Sequence, residues 1–296
     1  MSDAGLIRHV DVTPGVLLSS TVAETLPLYA AATDYLVGAS VRYLDVIYES
    51  VQTPNVGHVP STSPLYWAAR GATERWKMFD DLTDTQTSAT GALTTVLVPG
   101  PCNSLYAFGI EAETMAVTVR RGAAGPVVYD KTLALDGAVI TSLYEYIYEP
   151  FVQLSEIVLT DLPVYTDAHV TVTFTGATVA CGLLRPGSFF ELGDTNYGVT
   201  VEVIDYSIKS FSATGTPKYT PGLFAKRVSA EITVDPARFN KIARILEGSR
   251  GPVAWIFSKV PGYEALNIFG WYRSAPLTAA NVVQSRLNLE IEGMTQ

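Results

Sequence analysis

Residues that commonly perform catalysis are sparse in this chain of 296 residues. It has three histidines, His9, His58 and His169, which are far apart in the sequence. A catalytic triad needs a nucleophile, a base and a group that orients the base. The chain has no Gly-x-Ser-x-Gly elbow, no His-Glu-x-x-His pair and no glycine-rich phosphate loop. We therefore expect no enzymatic activity and no cofactor.

Closely spaced carboxylates are the remaining candidates for acid–base chemistry. They are Asp80 and Asp81, Glu111 and Glu113, and Glu145 and Glu149. Glycoside hydrolases use two carboxyl groups about 5–9.5 Å apart, and sequence spacing does not exclude a pair assembled across strands. Solvated surface acids are the favoured interpretation. A polysaccharide-degrading enzyme is an alternative that stays open.

The two cysteines, Cys102 and Cys181, flank the middle of the chain. A disulfide between them is conceivable. Buried free thiols are favoured, because cysteine is among the residue types most often buried. The spacing of the two cysteines and three histidines matches no zinc motif, so we expect no metal site.

An aromatic-rich stretch near the N-terminus is the best candidate for ligand binding. Tyr35, Gly38 and Val41 form a Tyr-x-x-Gly-x-x-Val pattern, which predicts a turn that enters a strand, with Leu44-Asp45 as the next hairpin turn. The loop Asn55–Pro64 then leads to Trp67. This order resembles the short chitin-binding-type modules of bacterial chitinases, which also occur in phage tail proteins.

The resemblance implies contacts with a glycan through aromatic rings. The candidate residues are Tyr48, His58, Tyr66 and Trp67. Sugar-binding members carry adjacent exposed aromatics after the second strand, where this chain has Val51-Gln52-Thr53. Core packing is favoured for Trp67, and the module is either a weak glycan binder or a structural spacer.

Composition excludes several classes of partner. The chain is 48% hydrophobic and 17% charged, with a formal net charge of −9, and its basic residues form no cluster. Binding to a phosphate backbone needs clustered cations, so no nucleic-acid partner is expected. The N-terminus has no basic segment followed by an apolar one, and no apolar run reaches the roughly 18 residues of a membrane helix. We expect no membrane insertion and a protein made in a cytoplasm.

The elements that position these residues are mainly β. We predict an N-terminal arm at 1–25, a small β module with its linker at 26–80, a β-sandwich of the jelly-roll kind at 81–190, and an α+β domain at 191–296. In the sandwich, Leu82–Gly91 is predicted as a polar loop. Tyr144, Tyr146 and Tyr148 would share one face of a strand, as a packing ladder or as a contact surface. Gly176–Leu192 is expected to form a rigid joint.

The last hundred residues carry the fullest pattern. Tyr197–Ser212, with valines at 199, 201 and 203, predicts a strand with one buried face. Ala213–Pro221 predicts the tip of a long hairpin, and Lys226–Val234 the returning strand. Asp235 would cap a helix at 236–247, with Phe239, Ile242, Ala243 and Leu246 on one face, before three closing strands.

This order of elements resembles the tail-tube fold of long-tailed bacteriophages, especially the ring-forming domain of distal tail proteins. The resemblance rests on Lys226–Val234, the helix, and Pro252–Lys259 leading into Tyr263–Ser274. It implies a non-enzymatic subunit of the virion tail, assembled in the host cytoplasm into a homo-oligomeric ring with other tail proteins as partners. Host-surface glycan is a further possible partner.

Assembly is predicted to use the long hairpin. Its candidate contact residues are Ile208, Phe211, Tyr219, Leu223 and Phe224. The alternative is a hairpin that folds back on its own sandwich. At the level of the whole protein, the alternatives are an α+β sandwich without a tail role, a carbohydrate-binding protein, and a neck or capsid-associated virion protein.

Overall fold

The structure, a computed structural model, describes residues 3–137, 142–148, 153–211, 215–260, 262–281 and 283–294. Strands hold 51% of it and helical segments 9%, so the predicted mainly β fold is confirmed. The strands in chain order are β1 (Asp3–His9), β2 (Leu17–Ser20), β3 (Ser40–Tyr43), β4 (Val46–Ser50), β5 (Trp67–Ala72), β6 (Thr87–Leu97), β7 (Ser104–Glu111), β8 (Thr114–Arg121), β9 (Val127–Ala134), β10 (Glu156–Leu159), β11 (Ala168–Thr195), β12 (Thr200–Asp205), β13 (Ile208–Phe211), β14 (Pro217–Thr220), β15 (Phe224–Val234), β16 (Val253–Ile256), β17 (Ile268–Ser274), β18 (Leu277–Thr278) and β19 (Ser285–Gly293).

The helical segments are few and short. Two are α-helices, α1 (Leu143–Tyr148) and α2 (Phe239–Glu247). The 3₁₀ segments are Pro60–Thr62, Lys77–Phe79, Pro236–Arg238 and Glu264–Leu266.

One long strand, β11, organises the main sheet. It pairs antiparallel with β6, β7 and β8 along its first part and with β1 and β15 along its last part. The segment predicted as a rigid joint is therefore continuous strand, and the predicted boundary near residue 190 lies inside β11. The predicted N-terminal arm contributes β1, which lies between β11 and β16.

Two large hydrophobic clusters lie along this sheet. The first gathers β6, β7, β8 and the first part of β11, with Phe174 and Met115 fully buried. The second gathers β15, β19 and α2, with Trp255 at 0% exposure. Gly193 lies where β11 meets β15, and a Cβ there would come within 2.2 Å of the Thr233 carbonyl oxygen. This close approach, together with a φ of +150°, explains the glycine.

The alternating patterns of the C-terminal region are confirmed for β15 and β19. Leu287, Leu289 and Ile291 are buried, as are the four apolar residues of β15 at 228, 230, 232 and 234. The Asp235 cap is confirmed too, because its carboxylate accepts a hydrogen bond from the Ala237 amide at 2.9 Å.

The predicted helix has a slightly different form from the one expected. A 3₁₀ turn precedes α2, which ends at Glu247 before Gly248. Ile242 and Leu246 are buried as predicted, and Ile245 is buried beside them. Phe239, at the start of the helix, is only half-buried.

Three local predictions are wrong. The valines at 201 and 203 are exposed, so β12 lacks the predicted buried face. Residues 87–91 belong to β6 and pair with residues 176–181 of β11, so the predicted loop is shorter. Tyr144 and Tyr148 lie on α1, four residues apart, so the predicted strand is absent there and the two exposed rings contact each other at 4.8 Å between centroids. The side chain of Tyr146 lies outside the described residues.

The small N-terminal module is a three-stranded sheet, β3-β4-β5. Its first hairpin turns at Leu44 and Asp45 as predicted, with Leu44 at a positive φ of 57°. Gly38, at φ 87°, forms the turn that leads into β3. The core of the module is Tyr35, Val41 and Trp67.

Candidate functional site

The hairpin between β12 and β15 forms an exposed arm, whose described residues are 206–211 and 215–224. Its strands β13 and β14 pair with each other and with no other described strand. The β12–β15 ladder leads into it through the pair Asp205 and Phe224. The arm is therefore a two-stranded ribbon that continues beyond the main sheet.

Apolar side chains cover this arm, yet they are open to solvent. Every residue of β13 and β14 is exposed. The exposed fractions at the predicted contact positions are Ile208 65%, Phe211 76%, Tyr219 59%, Leu223 52% and Phe224 41%. The predicted alternative, in which the hairpin folds back on its own sandwich, does not describe this arm.

The exposed apolar surface extends further than the sequence indicated. Val201, Val203 and Tyr206 are also exposed, and they join the arm to the edge strand β12. The sequence does not mark Val201 and Val203 as surface residues, because alternation predicts a strand without saying whether its apolar face is covered.

Hydrogen bonds fix the base of the arm. The Ser207 hydroxyl accepts from the Tyr219 hydroxyl at 2.9 Å and from the Gly222 amide at 3.0 Å. The Asp205 carboxylate accepts from the Ser207 amide at 2.8 Å, and its hydrogen bonds with Ser207 lower the Asp205 pKa. The arm therefore leaves the sheet with a defined geometry.

The arm has the features of an association surface. A two-stranded ribbon is marginally stable in water by itself, and its unpaired edges are templates for another strand. Contiguous exposed apolar surface marks a site of protein association. The arm also carries Lys209 and Lys218 and no acidic residue between 206 and 224, whereas the whole chain has a net charge of −9. The arm is thus locally basic in an acidic chain.

A buried ion pair lies where the arm joins the body. The Lys226 ammonium donates to a Glu156 carboxylate oxygen at 3.1 Å and to the Asn267 carbonyl at 2.8 Å. Burial raises the pKa of Glu156, and the charge of Lys226 opposes that shift. The pair ties β15 to β10, two strands that do not pair with each other in the sheet.

The N-terminal module places its four candidate residues in different environments. Trp67 is 2% exposed and its indole donates to the His58 carbonyl at 2.8 Å, so it belongs to the core as favoured. Tyr48 is half-buried and packs against that core. Trp67 therefore has no exposed ring that could stack on a sugar.

His58 and Tyr66 form the one close ring pair among the four candidates. Their rings stack with centroids 3.5 Å apart and an angle of 13°, and both side chains are half-buried. Val51, Gln52 and Thr53 are exposed where sugar-binding modules carry aromatics. Any glycan contact in this module would therefore centre on the His58–Tyr66 stack.

The carboxylate pairs have structural partners or lie on the surface. Asp80 accepts from the Leu82 amide at 3.0 Å and from the Thr85 hydroxyl, and burial raises its pKa. Asp81 binds the buried guanidinium of Arg185. Glu111 and Glu113 are exposed, while Glu149 and the side chain of Glu145 lie outside the described residues. Among the described residues, no three His, Cys, Asp or Glu side chains are placed to hold a metal ion.

Both cysteines are buried free thiols, as favoured. Burial raises the pKa of Cys102 to about 11 and that of Cys181 to about 12. Since the thiolate is the reactive form, neither residue suits nucleophilic chemistry.

The two other histidines, His9 and His169, lie outside the N-terminal module and at different places in the main sheet. His9, at the end of β1, lies 3.4 Å from the Asp11 carboxylate. Burial lowers its pKa, and the charge of Arg185 adds to that effect. His169 is half-buried on β11.

Comparison of the chain with models of protein families, with curated proteins and with solved structures gave no match. Within the described ranges, no helix has both the length and the apolar character that a membrane crossing requires.

Proposed function

We propose that this protein is a structural subunit of a bacteriophage tail, a ring-forming component of the tail tip that links the tube to host-facing parts. The observation that carries the proposal is the exposed apolar arm. The order of strand, long hairpin, strand, helix and closing strands supports the tail assignment by resemblance. Other tail proteins and a second copy of the chain are its partners, and no catalysis is assigned to it.

Ring formation follows from the asymmetry of the arm. An apolar surface on one side of a subunit that binds a different surface of the next makes a heterologous contact, and such contacts generate closed rings when the rotation closes. The net charge of −9 favours solubility at high copy number. An assembly element must then overcome repulsion between copies, and an apolar arm with two lysines has that property.

Oligomeric state tests this proposal most directly. We expect the wild-type protein to sediment as a defined oligomer and a Phe211→Ser/Ile208→Ser variant to sediment as a monomer. Because both side chains are exposed, the melting transition of the variant monomer should be unchanged. A Val283→Ser variant is the matched control, since Val283 is 77% exposed outside the arm.

A shortened arm tests the same function in the virion. Replacing residues 212–221 by an Asn-Gly turn removes the tip while keeping β12 and β15. We expect the shortened protein to fold and to be missing from purified virions. A monomeric wild-type protein, or a shortened protein present in virions at normal copy number, would overturn the proposal. Its location in virion fractions also distinguishes the tail tip from the neck or capsid surface.

A second candidate function is attachment to a host-surface glycan. The half-buried stack of His58 on Tyr66 favours it, because a ring face beside a histidine nitrogen provides stacking and a hydrogen bond. Titration of the full protein with chitin oligomers and lipopolysaccharide fragments tests it. Sub-millimolar binding that is lost in Tyr66→Ala and kept in Tyr197→Ala would support attachment, and equal signals from the two variants would contradict it.

A further inference from the structure

A groove runs beside strand β10 at the base of the arm. This strand pairs with β7 along one edge and with no described strand along the other. A cavity of about 350 Å³ lies along the second edge, between β9 and the segment Ser258–Val260. A neighbouring cavity of about 450 Å³ shares Ser258 and Val260 with it. We call the two together the edge groove.

The two parts of the edge groove offer different contacts. The β10 part offers backbone groups of an unpaired strand edge, to which an extended segment can add as a further strand. The other part is apolar, and its walls include Tyr197, Phe257, Val260 and Tyr263. An occupant that fits both parts is an extended strand with an aromatic or aliphatic side chain beside it.

We infer that the arm of a second copy of this chain occupies the edge groove. The inference rests on the proposed function and names the surface that receives the arm. Each strand of the arm has a free edge, as β10 does. Phe211 and Tyr219 are exposed and suit the apolar part. The groove lining holds three carboxylates, those of Glu156, Asp161 and Glu264, and two ammonium groups, those of Lys131 and Lys259. Its formal charge is therefore −1, opposite the two lysines of the arm, which is a small charge complementarity between the two surfaces.

The arm of the same chain is not the occupant. No arm residue is among those that line the groove. The arm continues the β12–β15 ladder, and Lys226 fixes the start of β15 to Glu156 on the wall of the groove. The arm and the groove are therefore adjacent at the base but separate, so that each subunit offers one of each. Repeating the contact from copy to copy is head-to-tail assembly.

Cross-linking between two single-cysteine variants tests this contact. Ser210→Cys lies on the exposed arm, and Thr160→Cys lies on the groove wall next to β10. The native thiols stay silent because burial raises their pKa. On mild oxidation, we expect a disulfide-linked dimer in the mixture of the two variants. The mixture of Ser210→Cys with Thr90→Cys, an exposed position on β6, is the matched control and should give none.

A charge placed in the groove provides a second test. Val260→Asp introduces a carboxylate at a half-exposed position shared by both parts. We expect loss of the oligomer equal to that of the arm variant, with an unchanged melting transition. Val283→Asp is the control and should assemble as wild type does.

The outcomes separate this inference from the proposed function. If the wild type assembles and the arm variant does not, while Val260→Asp assembles and the cross-link is absent, the arm docks elsewhere and the inference is wrong. If the wild type is monomeric, or if the arm variant assembles normally, the proposed function fails as well. Cross-linking together with loss of assembly in Val260→Asp supports both.

Discussion

Strands β12 and β19 flank β15 on opposite sides, and both have apolar residues at alternate positions. The two sets of apolar side chains nevertheless differ in burial. Val201 lies opposite Val228, which lies opposite Ile291, so the three residues form one row across the sheet. Val228 and Ile291 are 0% exposed, whereas Val201 is 42% exposed. The same face of the same sheet is therefore covered over two strands and bare over the third.

The difference arises from what lies above the row. Ile242 and Leu246 of α2 belong to the same cluster as Val228 and Ile291. Val199 reaches the margin of that cluster, and Val201 and Val203 are outside it. An alternating pattern thus specifies a strand with an apolar face, and a separate element decides whether that face becomes core or contact surface. The arm extends the uncovered side.

The largest expected change in stability lies at the boundary between the covered and the uncovered regions. Lys226→Met leaves the Glu156 carboxylate buried without its partner, which should cost about 3–5 kcal/mol of unfolding free energy at neutral pH. Lys209→Met on the arm should leave that free energy unchanged, because its ion pair with Asp205 is exposed. Urea melts of the two variants measure the contrast.

The pH dependence of the Lys226→Met variant distinguishes the cost of a buried charge from the cost of lost packing. Burial raises the Glu156 pKa above its unfolded value, and loss of Lys226 raises it further. The folded state then binds an additional proton as the pH falls, so the deficit relative to wild type should shrink toward acid pH. A deficit that stays constant with pH would show that lost packing, and not the buried charge, is responsible.

The row of three residues gives the next largest contrast. Ile291→Ala should cost about 2–5 kcal/mol, because it leaves a cavity in a packed core. Val201→Ala, in the same row and on the same face, should cost less than about 1 kcal/mol. Chemical denaturation of both variants measures the difference in their unfolding midpoints. Equal midpoints would mean that β12 is covered in solution by its own chain.

The covering helix gives a smaller effect. Leu246→Ala should cost about 2–3 kcal/mol, near the lower end for buried leucines, since the side chain keeps 6% of its surface exposed. Arg238→Ala should cost no more than about 0.5 kcal/mol, because its ion pair with Glu191 is half-exposed. If the arginine variant were the less stable one in thermal melts, the assignment of the buried helix face would be wrong.

The smallest expected effect belongs to His9, on β1 beside Arg185. Burial lowers the folded-state pKa of His9 below its ordinary 6.5, with Asp81 and Asp11 opposing the shift. The unfolded chain therefore binds more protons below pH 6.5, so stability should fall as the pH decreases through that value. His9→Gln should remove this slope. An identical slope in the variant would assign the pH dependence to other groups.

Much of the fold was predictable because it depends on local pattern. The strands β15 and β19, the Asp235 cap and the helix after it follow from periodicity and capping, which act within a few residues. The Leu44-Asp45 turn and the core role of Trp67 follow in the same way. The buried state of both cysteines follows from residue type alone.

Other features depend on residues far apart in the chain. Nothing near Thr87 indicates that β6 extends through it, because its partner is at Cys181 on β11. The α1 tyrosines alternate as strand residues do, and the structure places them on a helix. The edge groove needs β9, β10 and the segment at 258–260 to meet, which no spacing along the chain predicts.

The sequence by itself therefore determined that this is a mainly β protein with a long apolar hairpin and a capped C-terminal helix, since periodicity and capping are local properties of the chain. Tertiary structure alone decided which apolar faces are buried. Burial is a property of three or more elements packed together, and α2 covers β15 and β19 but leaves β12 and the arm exposed. The candidate assembly surface is the part of the hydrophobic pattern that the chain's own elements do not cover.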